Sequence, residues 1–414
     1  MSSNSFSKDA GWLSRQTPPH VVTLVLIAAL AALNMNIFVP SLTGMAKYFE
    51  ADYAVMQLAI SAYLGVTAVL QLIIGPLSDR FGRRPVLLGS FGIFLAATLG
   101  CLFAPNVEVF LFFRMIQGAI ASGMVLSRAV VRDMVEPDEA ASKIGYITMG
   151  MSLAPMLGPM LGGFLEQQFG WHSSFVLVFV FGVFVTWLVW ADLGETNAHK
   201  SKSFMAQFKA YPELFTSKRF WGYALTAAFT SGVFFAFLGG VAFVGETIFG
   251  LNSAQLGLYF MFVSTGYMFG NFLAGRFSKR VGLNRMMLIG SGATVLGMVL
   301  LLGFFLSGVI HPLTFFGSMI FVGIGNGMTL PNANAGIVSV RPHLAGSASG
   351  LGGSIMIGGG AALSAITGTM LTPETGAFPL IYMMSASAVL AVVTSVWVIL
   401  VAQRNEKLGA QGFE

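Results

Sequence analysis

A short charged segment, Gly75-Pro-Leu-Ser-Asp-Arg-Phe-Gly-Arg-Arg84, separates two long apolar stretches, and its outline returns 200 residues later as Gly275-Arg-Phe-Ser-Lys-Arg-Val-Gly282. Gly75, Ser78, Arg80 and Gly82 match Gly275, Ser278, Arg280 and Gly282. A chain that repeats itself in this way contains two related halves, each with a charged turn after its second apolar stretch. Only 9% of the 414 residues are charged and 55% are hydrophobic. A soluble domain carries about 25% charged residues, so this chain cannot cover a water-facing surface, and lipid must cover most of it. The 50 glycines suit close packing of membrane helices.

A helix needs roughly 20 apolar residues to cross a bilayer. Twelve such stretches are present, at 21–42, 54–77, 85–104, 107–128, 143–165, 173–193, 221–244, 255–276, 285–307, 312–334, 345–370 and 377–402. Backbone groups in hydrocarbon must be satisfied within their own segment, which makes each span a helix. Residues 1–20 are polar and lack the basic run that leads into a cleavable signal, and the stretch from Val21 is too long for one. It is read as a retained span. With the N-terminus placed in the cytoplasm, 20 of the 22 Lys and Arg residues fall on the cytoplasmic side. Lys47 lies outside and Arg114 lies within a span. Cytoplasmic loops are enriched in Lys and Arg, so the asymmetry supports both the span count and cytoplasmic placement of both termini. The net charge of +5 is explained by the same rule and by the anionic inner leaflet, not by nucleic acid.

Enzyme chemistry finds no foothold. The five histidines are scattered and lack metal-ligand spacing, no Gly-x-Ser-x-Gly elbow occurs, and no helix carries paired carboxylates. No Gly-x-x-x-x-Gly-Lys-Ser/Thr loop is present, which argues against ATP-driven pumping. The single cysteine, Cys101, rules out a disulfide within the chain. No cofactor or metal is expected. A ring of repeated filter residues, as a channel would need, is absent.

Twelve spans in two related sixes, with charged turns after the second and eighth, resemble the major facilitator superfamily over nearly the whole chain. Three local motifs narrow the resemblance. Residues 75–84 look like the superfamily's cytoplasmic loop signature. Arg114-Met-Ile-Gln-Gly118 is similar to the Arg-x-x-Gln-Gly motif of proton-coupled members, and Gly158-Pro-Met-Leu-Gly-Gly163 to the Gly-Pro-x-x-Gly-Gly signature of the antiporter branch. With Val131-Arg-Asp133, they look most like bacterial drug:proton antiporters of the bicyclomycin and chloramphenicol resistance type. The resemblance implies an all-α polytopic fold of two pseudo-symmetric six-helix bundles, at 1–195 and 220–414, joined by a cytoplasmic linker at 196–219. It implies a monomer in the bacterial inner membrane that exports small, largely apolar compounds by alternating access in exchange for protons. Export of a native metabolite (a sugar, amino acid or siderophore) is the alternative within the class. A transport-inactive sensor or scaffold is the alternative outside it.

The residues themselves support parts of that expectation. Asp79 is an acid at an inner helix end and can accept bonds from arginines of its own turn or from a neighbouring helix N-terminus. The resemblance makes Gly75, Asp79, Arg80, Gly82, Arg83 and Arg84 a latch holding the halves together when the protein faces outward; a topogenic charged turn would need only the arginines. Lys279 replaces the acid in the second copy. Arg114 lies about 10 Å deep in the fourth span, where a charge normally faces a polar cavity unless it snorkels to the headgroups, and Gln117 is one turn away. Gly158, Pro159, Gly162 and Gly163 leave one helix face without bulk, for sealing against a neighbour or for ordinary small-residue packing. Related exporters often carry an acid four residues before the first-span proline; here Asn36 precedes Pro40. Arg114 without an acidic partner is therefore expected to meet an anionic or carbonyl-bearing substrate. Asn34, Asn36, Phe38, Arg114, Gln117, Met151, Phe234, Phe237 and Met356 are the substrate-binding candidates, although the aromatic and Met residues, taken one by one, suit lipid-facing or interhelical packing better. Glu246 and Asp133 are the proton-coupling candidates, the former a gate or a solvated loop acid, the latter next to Arg132 and expected to pair locally.

Overall fold

The computed structural model describes residues 13–15, 19–135, 137–197, 211–341 and 344–411, and every regular element among them is helical. Twelve long helices follow in order: α1 (Val21–Tyr48), α2 (Tyr53–Phe81), α3 (Arg83–Leu102), α4 (Val107–Met134), α5 (Pro137–Phe169), α6 (His172–Asp192), α7 (Lys218–Ile248), α8 (Ser253–Val281), α9 (Leu283–Leu306), α10 (Pro312–Ser339), α11 (Ala345–Met370) and α12 (Phe378–Arg404). Among the described residues, eleven of these, all but α5, are by length and composition able to cross a membrane. Each expected span corresponds to one helix. The helices outrun the apolar stretches: 143–165 lies inside Pro137–Phe169, and 54–77 inside Tyr53–Phe81. Hydropathy ends at the first charges, but the backbone hydrogen bonds that hold a helix continue through the headgroup region.

The largest local correction concerns the charged segment. It is not a loop. α2 stays helical through Phe81, α3 begins at Arg83, and the whole reversal is made at Gly82, with φ 107°. Gly82 occupies a backbone region that side-chain-bearing residues avoid. Gly282 repeats the device between α8 and α9, with φ 89°. Gly75 makes no turn; it sits half-buried inside α2. Elsewhere, Pro40 interrupts α1, which passes through a 3-10 turn at Val39–Ser41. Proline cannot donate the helical hydrogen bond.

The repeat is visible in the packing. α1 lies on α5 as α7 lies on α11, α2 on α4 as α8 on α10, and α3 on α6 as α9 on α12. The halves meet through α2 against α11 and α5 against α8, themselves equivalent pairs. The chain leaving α6 folds back onto the Gly82 turn, and residues 198–210 of the linker lie outside the described residues. The short helix Tyr211–Phe215 precedes α7.

Candidate functional site

Arg114 is the largest fully buried side chain among the described residues. It ends the first segment of α4, before a 3-10 turn at Gln117–Ile120. Burying a lone cation in protein costs several kcal/mol unless its donors are met. Here Nε donates to the Ala59 carbonyl at 3.1 Å and Nη2 to the Asn34 carbonyl at 3.0 Å. Nη1 donates to Gln117 Oε1 at 2.7 Å and to Asn34 Oδ1 at 3.2 Å. The rings of Tyr63 and Phe38 flank the guanidinium at 4.1 and 4.3 Å, adding cation–π stabilisation. Gln117 in turn donates to Thr98 Oγ1 at 2.8 Å, which fixes its carbonyl toward Arg114. Asn34, Phe38, Arg114 and Gln117 therefore form one cluster bridging α1, α2, α3 and α4, with neutral groups accepting from the cation. Asn36 is separate. Its amide donates to the Ala32 carbonyl at 2.8 Å, and its Oδ1 is buried without a partner.

The other substrate candidates scatter. Phe237 is fully buried among Phe260, Phe315 and Phe316 in the second half. Phe234, stacked on Phe237, stays partly exposed, as do Met151 and Met356. The expected local pairing of Asp133 with Arg132 gives way to a longer-range one. Asp133 accepts from Arg83 Nε at 2.8 Å, across from α4 to the start of α3. Arg83 also pairs with Asp79 and donates to Ser78 Oγ at 2.6 Å. Its backbone N–H donates to Glu195 Oε1 at 2.9 Å, and Asn197 donates to the Asp79 carbonyl at 2.9 Å. In this conformation these bonds tie the turn to its own half.

The halves are sealed toward the end that carries the loops after α1 and α7. Lys47 of α1 pairs there with Glu246 in the last turn of α7. Tyr53 donates to the Gly239 carbonyl at 2.9 Å, and Gln57 donates to the Ser364 carbonyl and hydroxyl at 2.9 and 2.7 Å. Deeper, Ser264 donates to the Pro155 carbonyl at 3.2 Å and Ser354 to the Ala68 carbonyl at 2.8 Å. The glycine motif of α5 serves two neighbours. A Cβ at Gly162 would overlap the Ile37 carbonyl of α1, in the same half, whereas one at Gly163 would overlap the Ser253 carbonyl of α8, in the other. Gly257 of α8 returns the contact against the Pro159 carbonyl. Because Lys47 is largely exposed, its pair with Glu246 is worth no more than about 1 kcal/mol. Lys47→Ala is expected to leave transport within about twofold of wild type; a tenfold loss in a transport assay would make this pair the main lock instead.

Two acids escaped the sequence reading of roles. Asp192 is buried and accepts from the Leu13 and His20 backbone N–H groups at 2.9 Å each and from Thr23 Oγ1 at 2.6 Å, anchoring the start of α1. Glu166, near the end of α5, has a buried Oε2 without a hydrogen-bond partner. Its carboxylate lies against the Cα of Gly44 and beside Ser41, with Glu246 nearby. Its place four residues after Gly162 was the available signal.

The family model of the Major Facilitator Superfamily matches residues 24–365 and 248–412. An uncharacterised major-facilitator-type transporter of Bacillus subtilis is 32% identical over 89% of this chain and 92% of its own length. A bicyclomycin resistance protein homolog of Haemophilus influenzae is 29% identical over 90% and 94%. Further relatives carry multidrug and chloramphenicol resistance names. A crystal structure of a bacterial homolog of the human lysosomal transporter Spinster shares the fold, with a TM-score of 0.70 at 18% identity, over 92% of this chain and 96% of that one. This chain is a multi-pass membrane transporter that belongs to the major facilitator superfamily.

Proposed function

We propose that this protein exports small, largely apolar compounds, chloramphenicol- and bicyclomycin-like, from the cytoplasm across a bacterial inner membrane in exchange for protons. The basic loops mark the cytoplasmic face, so the sealed end faces outward. The observation that carries the reading is the nature of that seal. Gly163 on Ser253 and Gly257 on Pro159 bring backbone against backbone across the halves. At these positions no side chain separates the halves, and the polar bonds that Lys47, Tyr53 and Gln57 make across the seam exchange for water when it parts. That suits two rigid bundles rocking about a central site. The polar cluster around Arg114 holds α1, α2, α3 and α4 together so that the first bundle moves as one body.

Asn36 cannot carry a proton, and the two acids expected to do so are both engaged, Glu246 with Lys47 and Asp133 with Arg83. Glu166 is the acid this reading assigns to the proton. It lies on the helix that seals the halves and lacks a partner for Oε2. Purified protein in liposomes containing a pH-sensitive dye, given a proton gradient and then chloramphenicol, is expected to show drug-dependent proton flux. Glu166→Gln is expected to reduce that flux at least tenfold. Drug movement without proton flux would make the protein a facilitator, and an unaltered flux in Glu166→Gln would remove Glu166 from the proton path.

A further inference from the structure

We propose that Arg128 recognises an anionic group, a carboxylate or equivalent oxyanion, on a transported compound; this rests on the export reading above and adds to its neutral cargo a second class, apolar monoanions. Arg114 is the cation that depth in the membrane singles out, but the partners described above occupy four of its five N–H groups. Arg128 lies on the same helix, about 9 Å from its end at 1.5 Å per residue. Its situation is the reverse. Its Nε is buried and has no hydrogen-bond partner. Its Nη2 donates to the thioether of Met151, on α5, at 3.8 Å, and a thioether is a weak acceptor. Among the described residues no carboxylate forms an ion pair with it.

Nε and Nη2 form one edge of the guanidinium. That edge presents two parallel N–H groups, the fork that receives both oxygens of a carboxylate. A carboxylate there would satisfy the buried Nε–H and displace only the Met151 contact. A purely topogenic arginine needs water around its whole head, and Arg132, exposed one turn further on, meets that need. Arg128 is half-buried, and its Nε is shut off from water.

The location fits cargo. Ser264 of α8 bonds the Pro155 carbonyl of α5 where the halves meet. Met151 lies one turn from Pro155 and Tyr267 one turn from Ser264, in each case away from the sealed end. Tyr267, in the other half, is close enough to Arg128 to interact with it electrostatically, and Arg132 is the other charged group bearing on it. Arg128 therefore lies beside the seam, below its closed part. The Met151 thioether against the guanidinium, with Tyr267 on the facing helix, offers an apolar and aromatic surface for the body of the ligand. The implied cargo is a small apolar or aromatic compound with one carboxylate.

The test uses the purified full chain and two isosteric probes, 2-naphthoate and 2-naphthamide, with binding read by quenching of tryptophan fluorescence. Wild type is expected to bind naphthoate at least tenfold more tightly than naphthamide. Arg128→Gln is expected to abolish that preference with naphthamide affinity retained, which also shows that the variant is folded. Arg128→Lys, which keeps the charge and loses the fork, should recover part of it, and Met151→Leu should keep it. Absence of a preference in wild type, or its survival in Arg128→Gln, would overturn the assignment. Displacement of naphthoate by the anionic lipid phosphatidylglycerol, with no displacement by phosphatidylcholine, would overturn it too, by making the site a headgroup site. Charge preference at equilibrium needs neither chloramphenicol transport nor proton coupling, so the two readings fail separately.

Discussion

Gly163→Val should hold the outer face open and reduce transport at least tenfold, with the protein still folded. The Gly163 Cα is set against the Ser253 carbonyl across the halves, so any side chain there overlaps backbone that cannot rotate aside. Overpacking typically costs 1–3 kcal/mol, and each 1.4 kcal/mol is a tenfold change in an equilibrium. Because the strain exists only when the halves are closed at this end, it shifts the conformational equilibrium and leaves each bundle alone. The neighbouring Gly162→Val is the control. It overlaps the Ile37 carbonyl inside the first half, in both conformations, and should lower the melting temperature. Maleimide labelling of a cysteine introduced at Thr247, in a Cys101→Ser background, reads the open state. Unchanged labelling with normal transport in Gly163→Val would show that the seam is not a moving contact.

Arg114→Ala should be the most destabilising single change in the first half, by about 3–5 kcal/mol, the cost of breaking a buried charged network from one side. It would leave Asn34, Gln117 and the Ala59 carbonyl without their donor and open a cavity between Phe38 and Tyr63. Arg114→Lys keeps the charge, but a single ammonium cannot reach acceptors on α1, α2 and α4 in the same planar geometry. It is expected to lower the melting temperature less than Arg114→Ala and still to reduce transport about tenfold. Melting of the purified variants separates the alternatives. If both variants melt like wild type and only transport falls, Arg114 contacts cargo rather than holding the bundle; if transport is normal in both, Arg114 belongs to neither.

These two positions show what kind of information a membrane sequence carries. Gly163 and Arg114 were both singled out by motif, but their neighbours were not legible. α5 is apolar on most sides, so a 3.6-residue periodicity marks no buried face there, and nothing local distinguishes Gly162, facing α1, from Gly163, facing α8. Asp133 illustrates the same limit. Proximity in sequence pointed to Arg132, whereas its partner Arg83 is 50 residues away. Phe237 and Phe234 look alike as sequence, yet one is sealed in the core of the second half and the other is partly exposed.

What the sequence determined by itself is what depends on local free energy. Twelve helices follow from stretches long enough to span hydrocarbon, because each must satisfy its own backbone there. The two reversals at Gly82 and Gly282 follow from a conformation open to residues without a side chain. The break at Pro40 follows from a missing donor. Only the tertiary structure decided which helix faces which, and with that the roles of the ionisable groups. It surrounded Arg114 with neutral acceptors, set Asp192 over the start of α1, left Glu166 Oε2 buried without a partner near the seal and set Arg128 against the Met151 thioether. The reason is physical. In lipid a charge is fixed by whichever distant partner the packing brings within about 3 Å, and that partner is chosen by helix rotation and crossing, which the composition of an apolar helix leaves free.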